Sequence, residues 1–191
     1  MKIRLLIAVS SSVLAMTACG KNDRAADNTV ATDTNIAMDN GAMTAPMAAD
    51  PLTAQGFANA AAASDKFEIE SSKLAATASQ SAAVKSYAQQ MISAHEESTA
   101  KLKSTLGGMT PAVAPDDTLN AEQQASLDSL KGKTGADFDA AYKGAQVDAH
   151  QKALDALNNY AASGDNDALK TFAKGLSPKV AGHLNMAKGL K

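Results

Sequence analysis

Residues 81–106 read SAAVKSYAQQMISAHEESTAKLKSTL. Val84, Tyr87 or Ala88, Met91, His95, Ser98, Leu102 and Leu106 recur at intervals of three and four, which puts them on one face of a single long helix. A histidine therefore belongs to the side meant for burial. Ser79, Gln80 and Ser81 offer cap residues before this helix, and Gly107-Gly108 offers its stop.

The preceding stretch, DPLTAQGFANAAAASDKFEIESSKLAATA, reads as a first helix opening at Asp50-Pro51, a capping acceptor followed by the residue favoured at the first helical position. Phe57, Ala60 or Ala61, Ser64, Phe67, Ser71, Leu74 and Ala78 hold one face of it together. Glu68 and Glu70 flank that face, and the spacing leaves open which, if either, turns inward. Two helices joined by so short a link must pack antiparallel.

After the second helix, Pro111 and Pro115 in MTPAVAPDDT forbid a continuous helix and predict a loop. Asn120 with Gln123 has the form of a capping box for a short helix, AEQQASLDSLK. Thr134 with Asp137 repeats that signature before a long helix ending at Gly164, along which Val147, His150, Leu154, Leu157 and Ala161 share a line. A last helical segment begins near Asp165 and is kinked or restarted at Ser177-Pro178. Its final part puts Val180, His183, Leu184, Ala187 and Leu190 on one face. Two helical hairpins joined by a longer connection predict an all-α fold, an antiparallel four-helix bundle with a short extra helix in the long connection. No internal repeat argues for an open helical array.

Composition agrees with that reading. The 191 residues include 4% aromatics and no Trp, so Ala, Leu, Val and Met must fill the core between closely spaced helices. Lys and Arg number 18 against 20 acidic residues, and nothing concentrates the positive charge, which speaks against nucleic acid as a partner.

The amino terminus, MKIRLLIAVSSSVLAMTAC, pairs Lys2 and Arg4 with an apolar run that is short for a membrane span and ends at the chain's single cysteine. This is an export signal over residues 1–18. Met16-Thr17-Ala18-Cys19 resembles a bacterial lipobox, which implies lipid attachment at Cys19 and a membrane anchor. A plain secretory cleavage nearby is the alternative. Gly20 follows the cysteine, not Asp, so for a Gram-negative source the resemblance to lipoprotein sorting implies the periplasmic side of the outer membrane. Residues 19–50 are rich in Ala, Asn, Asp and Thr and lack any aromatic, a composition that cannot offset its ordering entropy. They read as a flexible tether with a typical reach of roughly 30 Å, carrying a domain that spans residues 51–191.

Three segments carry a resemblance to a known family: EIESSKLAATASQSAAVKSYAQQMISAHEES, GADFDAAYKGAQVDAHQKAL and LKTFAKGLSPKVAGHLNMAKGL. Together they resemble the bacterial domain of unknown function 4142, whose members look like ferritin-type four-helix bundles and often carry export or lipoprotein signals. Phe138, Asp139, Tyr142, Gln146, Val147 and His150 repeat the family pattern in order, and His95, His150 and His183 fall on its histidine positions. The resemblance implies a ferritin-like bundle. Ala94 departs from it, standing where the family usually has aspartate.

Three histidines on three helices could give a metal ion three imidazole nitrogens, with Glu70 (or Glu68) of the first helix as a carboxylate. A di-iron centre needs Glu-x-x-His on two helices. Ile92, Val147 and Val180 occupy those glutamate positions here, so a di-iron site is disfavoured and a mononuclear divalent transition metal is the cofactor left to consider. The plainer alternative makes each histidine a core residue satisfied by a neighbouring helix. No serine stands in a nucleophile-elbow context, and Gly107-Gly108 reads as a helix stop, not a phosphate loop. The expectation is a lipid-anchored cell-envelope protein whose helical domain is a non-enzymatic binding or interaction module with an envelope protein partner. The alternative is a mononuclear metal-binding or metal-scavenging protein using His95, His150, His183 and Glu70.

Overall fold

The structure is a computed structural model and describes residues 49–191. The signal, Cys19 and nearly all of the tether lie outside the described residues. Within them there are five helices and no strand: α1 (Ala54–Ala78), α2 (Ala82–Leu106), α3 (Ala121–Lys131), α4 (Gly135–Ser163) and α5 (Asp167–Gly189). None is long and apolar enough to cross a membrane.

The helix ends follow local chemistry. Ser81 caps α2 by accepting from the Val84 amide at 3.3 Å. Asn120 and Gln123 make both bonds of the capping box on α3. Thr134 occupies the cap position of α4, but its side chain makes no capping bond, so the expected capping box does not form there. The start of α1 also differs from expectation. Asp50 and Pro51 form a turn in which the Thr53 amide and hydroxyl both donate to the Asp50 carbonyl, and Thr53 then caps the helix from the Gly56 amide. Gly56 is required there, because a Cβ on it would stand 2.0 Å from the Asp50 carbonyl oxygen. The fifth helix runs unbroken through Pro178. Proline gives the Lys174 carbonyl no donor, and next to it the Ser177 hydroxyl bonds the Ala173 carbonyl at 3.1 Å.

Helix α1 packs on α2 and α4, and α5 packs on α4 and α2, closing a ring of four long helices, while α3 leans on α1 and α4. Three residues link α1 to α2, and three link α4 to α5. Two apolar clusters cap the ends of the ring. One gathers Phe57, Leu102, Leu106, Tyr160, Leu169 and Phe172, with Phe57 stacked on Tyr160 at 4.1 Å between centroids. The other gathers Val84, Met91, Leu130, Phe138, Tyr142 and Leu190. Each long helix leaves one cluster, crosses a buried polar layer, and enters the other.

That layer sets the orientation of α1, which differs from the sequence expectation. Phe57, Phe67 and Ser71 of the expected face are buried, and so are Ala58, Ala62, Asp65, Glu68, Ser72 and Ala75, whereas Ser64, Leu74 and Ala78 are half-buried and Ala60 is exposed. The buried face is broader than the expected stripe and extends to Asp65 and Ser72, which pair with the His95 imidazole and the Tyr142 hydroxyl.

Candidate metal centre

The polar layer is built from one or two turns of each long helix. From α1 come Asp65, Glu68, Ser71 and Ser72; from α2 His95, Ser98 and Thr99; from α4 Gln146 and His150; from α5 His183. The helical repeat alone produces these groupings: Asp65, Glu68 and Ser72 are spaced three and four, as are His95 and Thr99, and Gln146 and His150.

Asp65 holds His95. Its Oδ1 lies 2.8 Å from the His95 Nδ1, and its Oδ2 accepts from the Thr99 hydroxyl at 3.0 Å. On α4, the His150 Nδ1 lies 2.9 Å from the Gln146 carbonyl oxygen of its own preceding turn. Carboxylate and carbonyl oxygens only accept, so each imidazole places its proton on Nδ1 and leaves Nε2 for other use.

The three rings form a nearly equilateral triangle, with centroid separations of 5.6 Å (His95 to His150), 5.7 Å (His95 to His183) and 5.5 Å (His150 to His183). One ligand atom from each lies within 4.8 Å of the others. Nε2 of His95, Nε2 of His150 and Nδ1 of His183 are buried and bonded to nothing in the protein. A satisfied core histidine would not look like this, since leaving a buried polar atom unpaired costs about 1–3 kcal/mol. Three nitrogens spaced evenly around one ion at about 2.0–2.1 Å lie about 3.4–3.6 Å apart, so ligation asks the triangle to close by on the order of 1 Å. The donor set and its orienting partners fit a single transition-metal ion.

The electrostatics separate the histidines. Burial drives the His150 pKa down to about 3, helped by the charge of His95. Burial and the same neighbour take His183 to about 4. Burial also opposes a charge on His95, but the bond to Asp65 and the proximity of Glu68 outweigh it and raise its pKa. His150 and His183 are thus held neutral, the form that binds metal. Burial pushes Glu68 up to about 7.

The sequence candidates His95, His150 and His183 come together. Glu70 does not. It is half-buried and lies near Lys66 on the outer side of α1, because two residues along a helix turn it by about 200°. Glu68 is the inward residue: it is 1% exposed, with its Oε1 3.5 Å from the His150 Nδ1. Asp65 was not singled out by sequence, although its spacing to Glu68, Ser72 and Ala75 marks the buried line. The carboxylate that orients His95 comes from α1, while position 94 beside it is Ala.

Beyond the layer, Gln146 donates to the Ser71 hydroxyl at 3.2 Å and accepts from the Tyr87 hydroxyl at 3.1 Å, and Ser72 pairs with the Tyr142 hydroxyl at 2.7 Å. On the solvent side His183 is half-buried at the floor of a cleft of about 30 Å³ between α2 and α5. Lys179 and Glu97, two of its lining residues, pair at 3.0 Å across it.

Fold and site together define an all-helical domain with a buried three-histidine cluster. The chain belongs to the family described as domain of unknown function (DUF4142), whose model matches residues 37–190. No curated protein matches the sequence. Among solved structures, the chain is similar to CopM in the Cu(II)-bound form, with a TM-score of 0.61 and 16% identity over 72% of this chain and 94% of that one. At that identity the likeness speaks to the helical fold.

Proposed function

We propose that this protein is a mononuclear metal-binding module of the cell envelope. In this reading the ring of long helices is an antiparallel, ferritin-like four-helix bundle, with α3 in its long connection, and it holds one divalent transition-metal ion on His95, His150 and His183. The observation that carries the reading is the convergence of three buried, unpartnered imidazole nitrogens from three helices. Asp65 and the Gln146 carbonyl fix the tautomers of His95 and His150, as outer partners of metal-binding histidines do. Three imidazoles suit borderline ions such as Cu(II) and Zn(II). CopM is known in a Cu(II)-bound form, which makes Cu(II) the first ion to test.

The lipobox-like Met16-Thr17-Ala18-Cys19 and the polar stretch after it support a location outside the cytoplasm, at the end of a lipid anchor. A module so placed would sequester an ion, or pass it to an envelope protein partner, with no catalytic step of its own. Acyl labelling that is lost in Cys19→Ser checks the anchor.

The site is tested by dialysing the purified mature protein against Cu(II), Zn(II), Ni(II) and Co(II). One tightly held ion per chain is expected, with binding lost in His95→Ala and in His150→Ala. A wild-type protein that holds none of these ions by elemental analysis and calorimetry ends the proposal.

A further inference from the structure

We infer that Glu68 makes this site selective for doubly charged ions over singly charged ones such as Ag(I) and Cu(I). The inference rests on the metal-binding reading. Three neutral imidazoles bring no negative charge to an ion, and a divalent cation in a buried layer needs one nearby. Asp65 is already committed, one oxygen to His95 and the other to Thr99. Glu97, at the mouth of the cleft, is exposed and paired with Lys179.

Glu68 is the remaining buried carboxyl group. It is 1% exposed, it sits one turn beyond Asp65 against His150, and neither of its oxygens has a hydrogen-bond partner. The groups nearest it serve other partners as well: the Gln146 amide donates one N–H to Ser71 and keeps its second close to the carboxyl group, Ser72 pairs with Tyr142, and the Ser71 hydroxyl bonds the backbone carbonyl of Glu68 itself. A glutamate kept for packing alone would not be buried with both oxygens idle. The soft donors that favour singly charged copper and silver are missing from the layer, since Met91 belongs to the apolar cluster beside it.

The test compares Zn(II), Cu(II) and Ag(I) binding by wild type, Glu68→Gln, Glu68→Asp and Glu70→Gln, with the melting temperature of each metal-free protein. Glu68→Gln keeps the shape and removes the charge. It should bind both divalent ions about 10- to 100-fold more weakly, bind Ag(I) within about threefold of wild type, and melt no lower than wild type without metal. Glu68→Asp should keep the divalent preference, and Glu70→Gln should match wild type. Unchanged Zn(II) binding in Glu68→Gln, an equal loss for Zn(II) and Ag(I), or a Glu68→Asp protein without divalent preference overturns the inference. Those outcomes leave the three-histidine site standing, whereas metal binding that survives His95→Ala and His150→Ala removes the site itself.

Discussion

The Asp65 carboxylate meets the His95 imidazole at 2.8 Å, Oδ1 to Nδ1, with both residues about 5% exposed. The two come from neighbouring helices, 30 positions apart in sequence. Because Thr99 occupies the second carboxylate oxygen, the aspartate is held on two sides and cannot leave the imidazole without breaking a second bond. The pair fixes which nitrogen of His95 faces the other two histidines.

Asp65→Asn should therefore weaken metal binding by about 10- to 100-fold, the usual effect of losing an orienting partner. The amide can still bond the ring, but it no longer selects the tautomer or supports a positive charge. Calorimetric titration with Zn(II) checks this. Affinity equal to wild type would show that the pair serves the fold alone.

Metal should stabilise the folded chain. At a free ion concentration about 100 times the dissociation constant, linkage supplies about 2.7 kcal/mol, which for a domain of this size raises the melting temperature by roughly 5–10 °C. Thermal melts with and without Zn(II) read it directly. The rise should vanish in His150→Ala, and chelator should reverse it in wild type.

Without metal, stability should fall as the solution is acidified from pH 6.5 towards 4.5. In that window the unfolded chain takes protons on His150 and His183, whose folded values are depressed from 6.5 to about 3 and about 4. Across this window the native state already holds one proton more, on Glu68, whose value is raised from 4.5 to about 7. His95, raised in the fold, is protonated in both states below 6.5 and adds no slope there. The unfolded state thus binds one more proton net, about 1.4 kcal/mol per pH unit and on the order of 2 kcal/mol across the window. Above it, His95 and Glu68 reverse the slope, because stability from a raised value is lost as pH rises through it. Urea melts in chelator at pH 5 and 6.5 test the sign, and greater stability at pH 5 would contradict it.

Two glycines should respond oppositely to alanine. Gly144 is exposed within α4 and a Cβ there meets nothing within 4 Å, so Gly144→Ala should stabilise by about 0.5–1 kcal/mol. At Gly56 a Cβ would collide with the Asp50 carbonyl, so Gly56→Ala should destabilise by about 1–3 kcal/mol or undo the turn over residues 50–53. Chemical denaturation of both variants checks the pair.

Sequence by itself determined the helices, the stops between them, and the placing of His95, His150 and His183 on buried faces. Those are properties of local chemistry: a period of three and four, a glycine pair, a capping box, a proline-bounded loop. Membership of the family was legible for the same reason, since its pattern lies along single helices. The choice between Glu68 and Glu70, and the role of Asp65, were decided by tertiary structure. Both glutamates flank the stripe read from Phe67 and Ser71, and a shift of one residue in the facing of α1 exchanges which of them is inside. Which side α1 extends its buried face toward depends on what it meets on α2 and α4, and the imidazoles and hydroxyls it meets there are brought to it only when the four long helices pack together.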